Sequence, residues 1–180
     1  MRLRWKFYSV NLNYFELFEL KPAFDIDLAA LENNYRKIQS ESHPDRFVTA
    51  TSAEKLASMQ TATLANEAYQ TLKKPTNRAK YLLELQGINA LVDNNTNMPA
   101  DFLMQQMEWR EAVEGNATNL SGMHRLLRDI KHEAATLQET LADELDTKKA
   151  WQAAAETLRK LQFMDKLREE IARKLAILED

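Results

Sequence analysis

His43-Pro44-Asp45-Arg46-Phe47 lies between two segments of helical periodicity in a chain of 180 residues. Pro44 fixes its own φ and drives His43 out of the helical region, so the helix before it must end and a turn of defined shape must follow. The imidazole and the carboxylate are then presented outward from a stiff loop. Recognition residues concentrate on loops held by rigid scaffolds, and the sequence predicts a helix on each side of this one. The tripeptide therefore reads as a docking device.

Around this loop, residues 1–92 read as four helices. Asn13 caps a short first helix, with Glu16 three residues on and Tyr14, Leu17 and Phe18 as its apolar surface. Asp27 caps the second, in which Leu28, Leu31, Tyr35 and Ile38 recur at three-four-three spacing and define one buried stripe opposite Glu32, Arg36 and Lys37. After the His-Pro-Asp loop, Thr51 or Ser52 starts an alanine-rich third helix that runs to about Leu72, and its composition leaves its core face open. Lys73-Lys74-Pro75 closes that helix. A last one follows from Asn77 to Gln86, with Leu82, Leu83 and a terminating Gly87.

Composition narrows the partners. A chain that is 44% hydrophobic and 28% charged is ordinary for a globular protein, and its length suits one domain or two small ones. Its net charge of −3 lacks the basic excess that binding to a phosphate backbone needs, so no nucleic acid partner is expected. No apolar run approaches the roughly 20 residues of a spanning helix, so no membrane role is expected either. The absence of cysteine excludes disulfides and thiolate zinc sites and suits a reducing cytoplasm. Residues 1–11, with Arg2, Arg4 and Lys6 among aromatics, lack the long apolar core and the cleavage site of a secretory signal and read as a leader.

Asp93-Asn94-Asn95-Thr96-Asn97 is a run of turn-forming residues without an apolar period, and residues 93–98 read as a linker between domains at 12–92 and 99–180. Residues 1–92 hold 12 basic and 10 acidic side chains and residues 93–180 hold 12 and 17, so the halves are suited to different partners.

The second half reads as a three-helix bundle. Pro99 suits the first turn of a helix that reaches Glu114 and ends at Gly115. Leu120, Met123, Leu127, Ile130, Ala134, Leu137, Leu141 and Leu145 give a long core stripe, and Trp151, Leu158, Leu161, Met164, Leu167, Ile171, Leu175 and Leu178 give another. The helix from Pro99 has two apolar faces. Phe102, Trp109 and Val113 cluster on one, while Leu103, Met104 and Met107 cluster on the other with Glu111 and Glu114 beside them. One face is expected in the core, and the second, rimmed by acids, resembles a protein-binding surface.

Together these motifs identify a family. A helical hairpin whose loop bears His-Pro-Asp resembles the J-domain, the module that activates DnaK-type ATPase chaperones. His43-Pro44-Asp45-Arg46-Phe47 is followed by Asn66-Glu67-Ala68-Tyr69-Gln70-Thr71-Leu72 and Pro75-Thr76-Asn77-Arg78-Ala79-Lys80-Tyr81-Leu82-Leu83. That combination resembles the HscB family of iron-sulfur assembly co-chaperones. The likeness continues through Asp101-Phe102-Leu103-Met104-Gln105-Gln106-Met107-Glu108 and Arg159-Lys160-Leu161-Gln162-Phe163-Met164-Asp165-Lys166-Leu167, so it spans about Asn13 to the C-terminus.

The resemblance implies an all-α protein with a J-domain and a C-terminal three-helix domain. It implies that His43, Pro44, Asp45, Tyr35, Arg36, Lys37 and Arg46 contact the DnaK-type chaperone HscA. Leu103, Met104, Met107, Glu108, Glu111 and, on the last helix, Phe163 would contact the iron-sulfur scaffold IscU. The family tends to carry a further acidic residue one turn beyond Glu111, where this chain has Gly115. ATP would be hydrolysed by the chaperone, so no catalytic residue and no cofactor is expected here.

Other readings of the same residues are open to test. His43 and Asp45 could merely cap and turn the chain, or form an acid-base dyad. No nucleophile, glycine-rich phosphate loop or metal cluster accompanies them to complete a catalytic site. His124 and His132 lie eight apart without a carboxylate at ligand spacing, which argues against a metal; a phosphoacceptor role for one of them would make the second half a signalling bundle. A J-protein serving another client would keep the first half of the assignment and lose the second.

Overall fold

The computed structural model describes residues 12–89 and 99–179. Every regular element among them is helical, and the described chain forms two compact units that divide between Arg78 and Ala79. The leader expected at residues 1–11 and the linker expected at 93–98 lie outside the described residues.

In the first unit, helix α1 (Tyr14–Leu17) begins with the expected capping box, in which the Asn13 side chain accepts from the Phe15 and Glu16 amides and Glu16 accepts from the Asn13 amide. Helix α2 (Leu28–Glu41) starts at Asp27, whose carboxylate accepts the Ala29 and Ala30 amides at 2.9 Å each. Helix α3 (Ser52–Lys73) starts at Thr51 with a second capping box closed by Glu54. Hydrogen bonds from the Thr51 amide and then its hydroxyl hold the Glu54 carboxyl below the usual range. Helix α4 (Pro75–Leu85) opens on Pro75, two residues earlier than expected. A proline at the first helical position lacks only an amide hydrogen that has no intrahelical acceptor there. Gly87, at φ +74°, takes the left-handed conformation after the helix end.

Helices α2 and α3 form the hairpin, and α1 packs on α3. Leu31, Ile38, Ala65, Ala68, Tyr69 and Leu72 are buried with Phe15, Phe18 and Phe24. Each fully buried Leu or Phe contributes about 1.5–3 kcal/mol relative to exposure. The core face of α3, open from sequence, is the one bearing Ser58, Ala65, Ala68, Tyr69 and Leu72. Leu28 departs from its expected place in the α2 stripe and is 53% exposed. It sits at the first helical position, where the stripe has run past what the hairpin covers. Arg78 is buried, and its Nε and Nη1 donate to the carbonyls of Phe24 and Leu72 at 2.6 Å each. A buried cation is tolerated when its donors are matched in this way.

The second unit begins within α4 at Ala79 and contains α5 (Ala100–Gly115), α6 (Leu120–Ala142) and α7 (Trp151–Glu179), with a π-helical turn at Asp143–Thr147 continuing α6. Pro99 caps α5 from outside its first turn. Met123, Ile130, Ala134, Leu137, Leu141 and Leu145 of the expected stripe are buried, Leu145 from the π turn. They face Leu158, Leu161, Met164, Leu167, Ile171 and Leu175 of α7 in the main helix pair of the unit. Leu120 at the start of α6 is exposed, and Trp151 and Leu178 at the two ends of α7 are half-buried. Helix termini project past their neighbours, so stripes are trimmed at the ends.

Gly122 permits the turn into α6. A Cβ there would stand 1.9 Å from the Asn116 Oδ1. Asn116 itself bonds the Ala112 carbonyl at 2.8 Å, so the close approach ties the end of α5 to the start of α6.

Candidate functional site

Two surfaces carry the residues singled out by sequence, one on each unit. On the first, His43 caps a single 3-10 turn over Pro44–Phe47. The His43 Nδ1 accepts the Asp45 amide at 3.3 Å, a bond that assigns the hydrogen of a neutral imidazole to Nε2. The Asp45 carboxylate lies 3.5 Å from the same nitrogen, and that pair becomes attractive only when the ring is protonated. With side chains 59% and 86% exposed, both groups face solvent, and neither is buried as a working acid-base dyad would be. The turn displays an imidazole and a carboxyl group beside a rigid proline ring.

Its base is braced by residues the sequence reading missed. Ser42 and Ser58 are both buried; the Ser58 hydroxyl donates to the Ser42 carbonyl at 2.7 Å, and the Ser42 hydroxyl donates to the Ile38 carbonyl at 2.7 Å. The last residue of the α2 register is thereby fixed to α3 just before the loop begins. Arg46 donates from Nη1 to the Ser40 carbonyl at 3.3 Å, folding back over the end of α2 while staying exposed. The only sequence signal for the brace is a serine 16 positions beyond another, which has no periodic meaning without the hairpin.

Along α2, Arg36 and Lys37 are exposed as expected. Tyr35 is half-buried and committed within the hairpin: its ring stacks on Tyr69 at 4.1 Å, and its hydroxyl donates to the Asn66 Oδ1 at 2.7 Å. Gln39 donates to the same oxygen at 2.7 Å. Tyr35 therefore shapes the α2 face more than it projects from it. Glu32 accepts Arg36 Nε at 2.7 Å and also the Tyr69 hydroxyl. The tyrosine hydrogen bond first, and then Arg36, hold the Glu32 carboxyl below the ordinary range.

That shift has a sign. A carboxylate depressed in the folded state adds stability above the ordinary carboxylate value and loses it as pH falls through the lower folded value. Replacing Glu32 by glutamine is expected to lower the melting temperature slightly at pH 7 and by less in strong acid, below the lowered folded value, where the carboxyl takes up its proton and both proteins carry a neutral group. Paired thermal melts at the two pH values check this, and a difference that is the same at both would contradict it.

On the second unit, α5 divides as its periodicity predicts. Phe102 and Val113 are buried and Trp109 is half-buried. Leu103, Met104 and Met107 are 39%, 64% and 63% exposed, with Glu108, Glu111 and Glu114 also exposed. An apolar strip edged by carboxylates is left facing solvent. Phe163 corrects the sequence expectation. It is only 9% exposed, and its ring meets Phe102 edge-on with centroids 5.8 Å apart. Both α5 and α6 pack on α7, so a position at the edge of the α7 stripe is covered by the Phe102 side of α5. Phe163 thus supports the strip from beneath.

Among the described residues, no cluster of His, Asp or Glu could hold a metal ion, and no helix is long and apolar enough to cross a membrane. His124 is exposed, with its Nε2 3.1 Å from the Glu179 Oε1.

Residues 98–172 match the family model described as the HSCB C-terminal oligomerisation domain. Across nearly the whole chain, a co-chaperone protein HscB homolog of Azoarcus sp. (strain BH72) is 46% identical over 177 residues, covering 96% of this chain and 98% of the relative. The chain belongs to the HscB co-chaperone family. Chaperone HscB from Vibrio cholerae superposes with a TM-score of 0.82 at 37% identity over 93% of this chain and 99% of its own. Human co-chaperone protein HscB superposes with a TM-score of 0.87 at 28% identity over 92% of this chain and 83% of its own. These HscB neighbours share the two-part helical architecture, a J-domain followed by a C-terminal helical domain. Membership sets the exposed His43-Pro44-Asp45 turn in a co-chaperone of the J-protein type and leaves the signalling-bundle reading without support.

Proposed function

We propose that this HscB-family protein is a two-ended adaptor in iron-sulfur cluster assembly, a J-domain over residues 12–92 that stimulates the ATPase of the DnaK-type chaperone HscA and a C-terminal domain over 99–180 that delivers the scaffold IscU. One observation carries the reading: two surfaces of different chemistry stand exposed on separate units. His43-Pro44-Asp45 is displayed on a braced turn in the first, and Leu103, Met104 and Met107 form an apolar strip in the second. The residues assigned to the chaperone are His43, Pro44, Asp45, Arg36, Lys37 and Arg46, with Tyr35 holding the α2 face in shape. Those assigned to the scaffold are Leu103, Met104, Met107, Glu108 and Glu111, with Phe163 beneath them.

The loop and the cationic α2 face dock beside the chaperone's nucleotide-binding domain and favour the state that hydrolyses ATP. The second unit holds the client close while this occurs. Coupling of this kind is a difference in affinity between two states of the chaperone, which this protein supplies without chemistry of its own. Steady-state ATP hydrolysis by HscA tests the reading with this protein alone, with IscU alone and with both. The expected result is stimulation by each and more than additive stimulation by the pair. No response to this protein would overturn the first half; additivity would overturn the delivery role.

The α2 face adds a prediction about rate. Reversing Arg36 and Lys37 to glutamate is expected to slow association with HscA by about tenfold or more at low salt while changing dissociation less, because exposed rim charges act mainly by steering encounter. Their reach is only about 8 Å at physiological ionic strength, so raising salt should shrink the difference between wild type and variant. Stopped-flow association across a salt series checks this, and equal rates at every ionic strength would contradict it.

A further inference from the structure

The chain contains no cysteine, so its only oxidisable sulfurs are those of seven methionines. The fold sorts the described ones sharply. Met123 and Met164 are 0% and 1% exposed, sealed between α6 and α7, whereas Met104 and Met107 are 64% and 63% exposed, three residues apart on one face of α5. Oxidation of a thioether follows solvent access to its sulfur. The face that carries these two sulfurs is also the strip whose apolar surface has no cover from the described residues of its own unit.

We propose that Met104 and Met107 form a reversible oxidation site that switches off scaffold binding when peroxide is present. The inference rests on the reading of this α5 strip as the scaffold-binding surface. Hydrogen peroxide is the oxidant. The thioether sulfur attacks one peroxide oxygen, a sulfur–oxygen bond forms as the oxygen–oxygen bond breaks, the sulfur gives up two electrons, and the departing hydroxide takes up the remaining proton and leaves as water. The product is methionine sulfoxide, a polar and chiral group where an adaptable apolar one stood. Its oxygen is a strong acceptor, and a partner surface shaped for apolar side chains offers it no donor. Burying it there leaves an unpaired polar group. Glu108 and Glu111, exposed on the same helix, supply acceptors only when ionised and cannot satisfy it. Core packing shields Met123 and Met164, so the change is confined to the surface and the bundle stays folded.

The test treats the full chain with hydrogen peroxide, maps sulfoxide at each methionine by peptide mass spectrometry, and measures scaffold affinity by calorimetry. The expected result is modification at Met104 and Met107 with Met123 and Met164 intact, and a dissociation constant raised about tenfold or more, the loss that follows from one unpaired buried acceptor. Methionine sulfoxide reductases with a thiol reductant should restore the original affinity. Met59, 63% exposed on α3 in the other unit, supplies the control. The Met59→Leu protein should respond to peroxide as wild type does. In the Met104→Leu/Met107→Leu protein, peroxide should change the affinity less than about twofold from whatever value that variant starts at. Retained affinity in wild-type protein with both sulfoxides mapped would overturn the proposal, as would an equal peroxide loss in the double-leucine protein. Untreated Leu103→Asp separates the two failures. If it binds the scaffold as tightly as wild type, the surface assignment itself is wrong and the switch falls with it; if it loses binding while the sulfoxide form does not, only the switch is wrong.

Discussion

His43→Gln and Asp45→Asn are each expected to reduce stimulation of the HscA ATPase to the unstimulated rate while leaving the helical fold and melting temperature nearly unchanged. Both side chains project from the 3-10 turn into solvent, and neither packs in the core. Substitutions at such positions usually change stability by no more than about 0.5 kcal/mol. Glutamine retains a hydrogen-bonding side chain at position 43 and asparagine keeps the shape of position 45, so what is removed is the imidazole and the charge. The turn itself is held by Pro44, by the Ser42–Ser58 brace and by the His43 cap on the Asp45 amide; of these His43→Gln alters only the cap, an exposed bond that the glutamine side-chain oxygen can also accept. Near-zero loss of stability with total loss of stimulation would identify a recognition contact. ATPase assays beside circular dichroism melts decide it: stimulation at wild-type level would sink the docking assignment, and a collapse of the melt would return these residues to a purely structural role.

The second large effect separates the exposed strip from what lies beneath it. Replacing Leu103, Met104 and Met107 together by alanine is expected to weaken IscU binding about a hundredfold or more, as the loss of the apolar anchors of an interface would. Direct stimulation of HscA should persist, because the hairpin bearing the His-Pro-Asp turn lies in the other unit. The melting temperature should hold, since these side chains are exposed in the free protein. Phe163→Ala should behave in the opposite manner. Buried edge-on against Phe102, its removal opens a cavity and is expected to cost about 3–5 kcal/mol. Stability of a small bundle is only about 5–15 kcal/mol in total, so the melt should fall by many degrees. Calorimetric titration with IscU and thermal melts on both variants test this, with sedimentation to detect any change in self-association. Retained IscU binding by the triple variant would refute the surface assignment. An unaltered melt for Phe163→Ala would refute the supporting role.

Much of this architecture is local in origin and so legible in the chain. Asn13 with Glu16, Asp27, and Thr51 with Glu54 cap helices through bonds that span two or three residues, and the structure contains all three caps. The two apolar faces of α5 follow from its period, and both are present, one buried and one exposed. The alanine-rich α3 was undecided because small residues occur all round it. Its core face is set by α1 and α2 packing against Ser58, Ala65, Ala68, Tyr69 and Leu72, which leaves Leu56 and Met59 outside. No pattern within α3 encodes that choice.

Helix starts and stops are written into the chain, Pro44 above all, since a ring that fixes φ and removes a donor breaks the helix in any tertiary context. The order of the motifs likewise determined that a His-Pro-Asp turn would stand between paired helices with a helical bundle after them. Which side of a stripe finds a neighbour depends on packing. Leu28 stays in solvent because it lies at the first position of α2, Phe163 is buried because α5 lays Phe102 over it, and Tyr35 is held in the hairpin because Tyr69 and Asn66 arrive from more than 30 residues away in sequence. Periodicity assigns a side chain to a face; burial depends on what the rest of the chain places against that face, and that is settled by contacts between residues far apart in sequence.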